Sequence, residues 1–259
     1  MEMTVVHGTG NLAAMGRHAF ARPCPAPHAS TSCEACILRT NCLSAGVRDV
    51  DLSLLTSLVS SRRRLRRGEH LYRAGDAFRS LYAFRSGFYK TYVDGSAGES
   101  QVIGFPMAGE VMGLDGVETE VHQLNVVALD DGEACIVPYA HFESVAMRVP
   151  ALQRQLYKLM SREIVREQEL VRLLGGMRAE ARVAAFLLAL SEKFAARGYS
   201  PTQFRLRMTR EDIGSYLGLQ LETVSRVLSR FHDNGFIVAQ VRSIAIVDRP
   251  RLAAVVPSL

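Results

Sequence analysis

The sequence predicts an α+β fold in which a β-rich first half precedes a helical second half. Short strand-like runs broken by glycine fill residues 68–138, which is typical of a β-barrel or roll. After Pro150 the apolar residues recur at helical spacing, and the last third contains two short helices joined by a glycine turn. These observations divide the chain into four predicted segments, residues 1–46, 47–149, 150–176 and 177–259.

Charge and hydropathy indicate where the protein works and what it binds. The N-terminus lacks the basic leader and apolar core of a signal peptide, and no apolar run approaches the roughly 20 residues that span a bilayer. We therefore expect a cytoplasmic protein without membrane contacts, in a compartment that keeps thiols reduced. The formal net charge of +5 arises entirely within residues 177–251, which is consistent with binding of a polyanion there.

The first segment is marked by clustered cysteines. Cys33, Cys36 and Cys42 lie within ten residues, and Cys135 follows in a strand-like run. Thiolates gathered in this way bind soft metals or iron–sulfur clusters, and Cys135 completes a set of four only if the chain folds back. Structural zinc and redox-active thiols remain alternatives, although the five-residue gap and the remote fourth cysteine fit structural zinc less well. The odd total of five cysteines excludes a complete disulfide framework.

The remainder of the N-terminal region shows less definite patterns. Residues 1–32 have no periodicity and are rich in Ala, His, Pro, Ser and Thr, so we expect a disordered leader. Cys24 lies in this leader and is expected to be a bystander. A short helix is expected from Asp51 to Val59, and the basic run from Arg62 to Arg67 is expected to be a solvated surface rather than a nucleic-acid arm.

The second segment is predicted to be the β-roll. Its strand-like runs alternate with glycines, which supply the tight turns between short antiparallel strands. The predicted strands are Leu81–Phe84, Phe88–Val93, Gln101–Phe105, Asn125–Leu129 and Ala134–Val137.

The third segment carries a coiled-coil seam. Its positions are spaced by three and four residues in alternation, and Gly175-Gly176 ends the helix. A helix packed on its own β-domain, with Glu167 at an exposed edge, would give the same pattern. We favour a parallel homodimer in which two Glu167 carboxylates face each other and weaken the interface. The predicted dimer interface comprises Tyr157, Met160, Ile164, Glu167, Val171 and Leu174.

The fourth segment contains a predicted winged helix-turn-helix. A core helix spans Ala179 to Ala196, and Thr209 to Asp212 has the form of a capping box that opens a second helix ending at Gly218. The next helix, Leu221 to Phe231, has one apolar stripe, and the alternating residues of 236–247 predict a β-hairpin wing.

The polar face of this last helix has the chemistry for reading DNA. Arg226 can donate to guanine, Glu222 can accept from cytosine, and Ser225 can do either. Their position near the helix N-terminus suits the major groove, and Thr209 and Ser229 are further candidates for contact with double-stranded DNA. The alternative is that Glu222 and Arg226 form only an i,i+4 ion pair, worth about 0.2–0.5 kcal/mol.

This order of parts closely resembles the FNR (fumarate and nitrate reduction) branch of the cyclic-AMP receptor protein superfamily. The resemblance covers roughly residues 33–247. Its most specific pieces are Cys33-x2-Cys36-x5-Cys42 with Cys135, Leu81-Tyr82-Ala83 with Arg85-Ser86-Gly87, and Glu222-x2-Ser225-Arg226.

The resemblance implies an oxygen-responsive transcription regulator and not an enzyme. By position, Cys33, Cys36, Cys42 and Cys135 would hold a [4Fe-4S] cluster that promotes homodimerisation and is destroyed by oxygen. The base-reading triplet implies TTGAT-type palindromic half-sites, Glu167 matches an acidic position of the family's dimer helix, and the loop from Asp94 to Glu99 would contact RNA polymerase. A zinc- or thiol-dependent regulator of the same fold is the alternative.

Two further expectations concern absent activities. The cyclic-nucleotide branch needs an arginine to pair the ligand phosphate, but residues 111–125 contain neither arginine nor lysine, so no cyclic nucleotide is expected. No Ser-His-Asp order, phosphate loop or His-x3-His spacing indicates an enzyme.

Overall fold

The structure is a computed structural model that describes residues 32–95 and 98–257. Cys24 and the expected disordered leader lie outside these residues, as do two residues of the 94–99 loop. Within the described ranges, no helix combines the length and the apolar character needed to cross a membrane.

Two four-stranded antiparallel sheets form the β-roll. Their strand orders are β1-β8-β3-β6 and β2-β7-β4-β5. All five strands predicted from the sequence are present. The eight strands are β1 (Ser61–Leu65), β2 (His70–Tyr72), β3 (Ser80–Ser86), β4 (Tyr89–Asp94), β5 (Ser100–Gly104), β6 (Val111–Met112), β7 (Asn125–Ala128) and β8 (Gly132–Pro138).

Strand β1 departs from the sequence-based expectation, because the basic run forms an edge strand. Arg62 lies opposite Cys135 of β8, and Leu65 is buried at the strand's end. Periodicity could not reveal this strand, since its arginines interrupt the apolar alternation. Charged side chains are common on edge strands, where they discourage pairing with other chains.

Seven helices complete the described part of the chain. Helix α2 was not predicted, and it buries Phe142 and Val145 against the roll. The other helices begin within two residues of their predicted starts, apart from the short C-terminal one, for which no prediction was made. The helices are α1 (Asp49–Leu58), α2 (Tyr139–Ala146), α3 (Pro150–Gly176), α4 (Ala179–Ala195), α5 (Arg210–Leu217), α6 (Leu221–Asp233) and α7 (Arg249–Ala254).

The long helix α3 buries side chains only near its beginning, although Arg166 and the Leu174 carbonyl make polar contacts further along it. Pro150 occupies its first turn, where the missing N–H has no cost. Leu152 and Gln155 are its buried residues, and helical spacing places Gln155 on the side opposite the predicted seam. The rest of the helix projects an exposed surface.

The C-terminal domain contains α4 to α7 and a three-stranded sheet ordered β10-β11-β9. The predicted hairpin is present as β10 (Ile237–Gln240) and β11 (Ser243–Ile246), and β9 (Gln203–Arg205) adds a strand that was not predicted. Its core continues into the roll through Phe105 and Met107. The domain is therefore docked on the roll.

Candidate functional site

Four cysteines from distant parts of the chain line one cavity. Cys33, Cys36 and Cys42 come from the loop of residues 32–47, which we call the cysteine loop, and Cys135 comes from β8. Strand β8 pairs with β1 on one side and β3 on the other, so Cys135 is held rigidly. The loop reaches it because Leu43 and Val47 are buried against α1 and α2. The structure thus brings together all four predicted ligands.

The cysteine loop is a series of tight turns with defined anchors. The amide of Cys33 donates to Thr56 Oγ1 at 3.1 Å, which ties the start of the loop to α1. The amide of Ala45 donates to the Cys42 carbonyl at 3.0 Å, and Nε2 of Gln155 donates to the same carbonyl at 3.1 Å. The cysteine loop is therefore anchored to α1 at its start and to the long helix α3 at Cys42.

Burial raises the pKa values of three of the cavity thiols. Desolvation raises the pKa of Cys42 to about 12, although the Leu43 amide acts in the opposite direction. Desolvation also raises the pKa values of Cys33 and Cys135, while Arg62 and Arg85 lower them. Because a metal binds the thiolate, loading of this site must release protons, and the two arginines favour the charged form.

The four thiols are better suited to a cluster than to a single metal ion. Within the described ranges, no three His, Cys, Asp or Glu side chains are arranged to hold a single metal ion. The four thiols nevertheless share a cavity whose other walls are largely apolar, with Arg85 as the charged neighbour. Four cysteines that line a largely apolar cavity with a nearby cation match the ligand chemistry of an iron–sulfur cluster.

The reading face lies on α6 and is accessible. Glu222, Arg226 and Ser229 are exposed and Ser225 is half-buried, so the structure places all four on one surface. Arg226 Nη2 donates to Thr223 Oγ1 at 3.4 Å. No ion pair between Glu222 and Arg226 is formed in this fully described helix, so the ion-pair alternative is not supported.

Thr209 is the N-cap of α5. Its hydroxyl accepts from the Asp212 amide at 3.0 Å, and its own backbone amide donates to Asp212 Oδ2 at 2.8 Å, which completes the predicted capping box. The hydroxyl also donates to Asp212 Oδ2 at 2.8 Å. The exposed edge of Thr209 faces solvent, but its hydroxyl proton is used within the cap.

Glycine sets the angle between α5 and α6. A Cβ atom at Gly214 would stand 2.5 Å from the Leu219 carbonyl oxygen, closer than any real contact. Gly218 ends α5 with φ +61°, a left-handed conformation that glycine adopts without strain. The two glycines allow α5 and α6 to approach each other closely, which leaves the polar face of α6 exposed.

Two arginines near the reading face were not identified from the sequence. Arg182 of α4 donates to Leu174 O at 2.7 Å, Met177 O at 2.9 Å and Leu217 O at 2.9 Å. It therefore joins the C-terminal end of α3 to the end of α5. Arg210 lines a groove between α6 and the wing, and its Nη1 is buried without a partner. No sequence pattern marks such contacts, because they join segments far apart in the chain.

The predicted seam of α3 is a surface without a partner in the single chain. Tyr157, Met160, Ile164 and Glu167 are exposed, and Val171 is 70% exposed. Leu174 is half-buried near the joint with the C-terminal domain. A row of exposed apolar residues on one helix favours the dimer interpretation over packing on the helix's own β-domain.

Glu110 connects three elements of the molecule. It follows the turn at Gly109 and pairs with Lys193 and Arg197 of the α4 region, both at 2.9 Å. Arg166 of α3 lies 3.5 Å from its other oxygen. Burial raises the pKa of Glu110, but the three cations lower it more, so the net shift is downward and the carboxylate is ionised. No motif in the sequence identified this residue.

Comparisons with known proteins agree with the architecture. The cyclic nucleotide-binding domain matches residues 62–149, and the Crp-like helix-turn-helix domain matches residues 181–255. The transcriptional regulatory protein btr of Bordetella pertussis is 43% identical over 85% of this chain and 91% of that protein. The fumarate and nitrate reduction regulatory protein of Salmonella typhimurium is 37% identical over 86% of this chain and 89% of that protein. The structure of FixK2 from Bradyrhizobium japonicum has a TM-score of 0.72 and 30% identity, covering 78% of this chain and all of that one.

A β-roll joined by a long helix to a winged helix-turn-helix defines a transcription regulator that binds DNA, not an enzyme. The two relatives above share 43% and 37% identity with this chain over 91% and 89% of their own lengths. The chain belongs to the FNR-type regulators of the Crp superfamily.

Proposed function

We propose that the chain is an oxygen-responsive transcription regulator whose four cavity cysteines hold a [4Fe-4S] cluster. The cluster promotes homodimerisation and binding to TTGAT-type palindromic sites, and both are lost when oxygen destroys it. The observation that carries this proposal is the convergence of Cys33, Cys36, Cys42 and Cys135 on one cavity. The fumarate and nitrate reduction regulator among the relatives supports the same function.

Each part of the chain has a role in this proposal. When bound, the cluster supplies oxygen-labile iron–thiolate bonds between the cysteine loop and β8. The apolar cavity wall excludes water, and Arg62 and Arg85 stabilise the thiolates. The loop is packed near the buried beginning of α3, so closing the loop onto β8 fixes the base of the dimer helix.

We further propose how the dimer reads DNA. Two copies of α3 meet along the seam that includes Ile164 and Glu167, and each α6 enters one major-groove half-site. Arg226, Glu222 and Ser225 then contact base edges, and Ser229 and Thr209 contact the DNA nearby. The loop from Asp94 to Glu99 contacts RNA polymerase in this proposal, which for that loop is based on family resemblance.

A cyclic nucleotide is not part of the proposal. Residues 111–125 lack lysine and arginine, and this stretch instead carries Asp115. Asp115 accepts hydrogen bonds from Tyr72 at 3.1 Å and from the Gln123 amide at 2.9 Å. This stretch therefore offers no arginine or lysine to pair a ligand phosphate.

Metal analysis of anaerobically purified protein tests the proposal. Wild-type protein should contain iron and acid-labile sulfide, and Cys135→Ser should remove both because it deletes the only ligand outside the loop. Air exposure of wild-type protein should convert a dimer into a monomer in sedimentation experiments. Stoichiometric zinc without iron, or DNA affinity that is the same with and without air, would contradict the proposal.

A further inference from the structure

We propose that the neighbouring residues Asn41 and Cys42 form a branch point that passes the state of the cysteine site to two outputs separately. The Cys42 carbonyl acts on the dimer helix through Gln155, and the Asn41 side chain acts on the DNA-binding domain through Ala196. The proposal deepens the proposed function and rests on it, because the state being passed on is cluster occupancy.

The first branch is the contact of Gln155. Its side chain is 3% exposed, and a buried amide needs a partner. Its Nε2 donates to the Cys42 carbonyl at 3.1 Å, across 113 residues of sequence. Apart from Leu152, Gln155 is the buried residue of α3 and lies opposite the seam. A shift of the Cys42 backbone therefore acts directly on the helix that carries the dimer interface.

The second branch is the contact of Asn41. Its Nδ2 donates to the carbonyl oxygen of Ala196 at 3.1 Å, at the C-terminal end of α4. A Cβ atom at Gly109 would lie 3.1 Å from the Asn41 Cβ, so the two residues are packed together. Gly109 precedes Glu110, which binds Arg197. Asn41 thus reaches the docking site of the DNA-binding domain, and its own side-chain hydrogen bond is made to the end of α4 and not to the dimer helix.

The two contacts can be removed separately without unfolding the loop. The Cys42 carbonyl also accepts from the Ala45 amide at 3.0 Å, so Gln155→Leu does not leave it without a donor. Leucine fills the buried position next to an apolar cluster that includes Leu152 and Leu43. Asn41→Ala removes a bond at the protein surface.

The experiment compares Gln155→Leu, Asn41→Ala and a matched control in anaerobically purified full-length chain. The control is Gln123→Leu, because Gln123 is an exposed glutamine of the roll whose side chain bonds only to Thr119 and Val121. Four quantities are measured. The first two are the iron and sulfide content per chain and the dimer dissociation constant. The others are the DNA affinity at protein concentrations above that constant, and the amide hydrogen exchange of the cysteine loop and of the start of α3 in cluster-free protein.

The branches predict different results for the two variants. Gln155→Leu should keep the cluster and raise the dimer dissociation constant by about 2- to 10-fold, the range for one lost hydrogen bond. It should also speed hydrogen exchange at the start of α3. Asn41→Ala should leave dimerisation unchanged and weaken DNA binding by the dimer by about 2- to 10-fold. Gln123→Leu should match wild type in every measurement.

The outcomes separate this inference from the proposed function. If wild-type protein contains a cluster but both variants affect dimerisation and DNA binding alike, or neither differs from Gln123→Leu, the branch point is wrong and the proposed function stands. Loss of iron in either variant also contradicts the inference, because the contacts would then serve ligand binding. Wild-type protein without iron overturns the proposed function, and the inference with it.

Discussion

At the helix-turn-helix, single residues determine how α6 is positioned, and the addition of one methyl group would disturb it. Gly214 lies where any Cβ would meet the Leu219 carbonyl at 2.5 Å, while Thr209 and Asp212 satisfy the first amides of α5 between them. These contacts hold α5 in place, and the tight turn after α5 sets the direction of α6. The exposed polar residues of α6 therefore stand on a rigid support.

Replacing Gly214 with alanine tests this support. The Leu219 backbone must move to admit the methyl group, so we expect Gly214→Ala to lower the free energy of unfolding by about 1–3 kcal/mol. Gly175→Ala is the control, because no heavy atom lies within 4 Å of that position. Denaturant unfolding of both variants measures the difference, and equal stabilities would contradict the packing argument.

Replacing Arg226 with alanine tests base reading. Loss of a bidentate hydrogen bond to guanine should weaken binding to a TTGAT-type duplex by about 1–3 kcal/mol. Binding to a scrambled duplex should stay nearly unchanged. Titrations of the anaerobic dimer with both duplexes measure this. An equal loss on both would identify Arg226 as a phosphate contact.

Among the elements, α3 is the one that would link the cysteine site to dimerisation in the proposed function, because its two sides differ. Its buried side contacts the cysteine loop through Gln155, and its exposed side carries the seam. Glu167 interrupts the apolar seam with a charge. In a parallel pair the two carboxylates approach each other, and like charges at close range oppose association.

Replacing Glu167 with alanine should relieve this repulsion. We expect Glu167→Ala to dimerise in air, where the proposed function predicts a monomeric wild-type protein, because the seam then becomes continuous. Sedimentation of aerobic protein measures the mass, with the exposed Glu169→Ala as a control from the same helix. A variant that stays monomeric like the parent would show that repulsion at Glu167 does not limit the dimer.

At the scale of the whole molecule, the DNA-binding domain and the roll are held together by ionic and polar contacts beside a shared apolar core. Lys90 pairs with Asp212 at 2.7 Å, and Val102 donates its amide to Ser215 Oγ at 2.9 Å. The Glu110 group adds a second ionic contact. The position of α6 relative to α3 is therefore fixed partly by charge.

This docking should depend on pH through Glu110. Its folded-state pKa is lowered, so its stabilisation is present above its unfolded pKa of about 4.3 and is lost as the pH falls through the folded value. Glu110→Gln should therefore cost about 1–3 kcal/mol at pH 7 and progressively less below about pH 4. Melting temperatures of wild type, Glu110→Gln and the exposed control Glu118→Gln across this range measure it. A difference that does not change with pH would contradict the ionic interpretation.

Much of this architecture follows from local sequence patterns. Glycine turns and apolar runs predicted five strands, and helical spacing predicted α3 and α6, because these signals lie within a few residues of each other. Strand β1 was missed because its arginines hide the alternation. The contacts of Glu110, Arg182 and Gln155 could not be predicted, since each joins residues that only the folded chain brings together.

The joint made by Arg182 has a consequence for protein engineering. Its guanidinium contacts only main-chain carbonyls, those of Leu174, Met177 and Leu217. Every amino acid offers the same carbonyl, so these three bonds need no particular side chain at their acceptors. For this joint, glycine is required only at position 218, where a Cβ atom would stand 3.3 Å from Arg182 Nη1. We therefore expect a hybrid regulator that exchanges α5 and α6 to keep this attachment when it keeps that glycine.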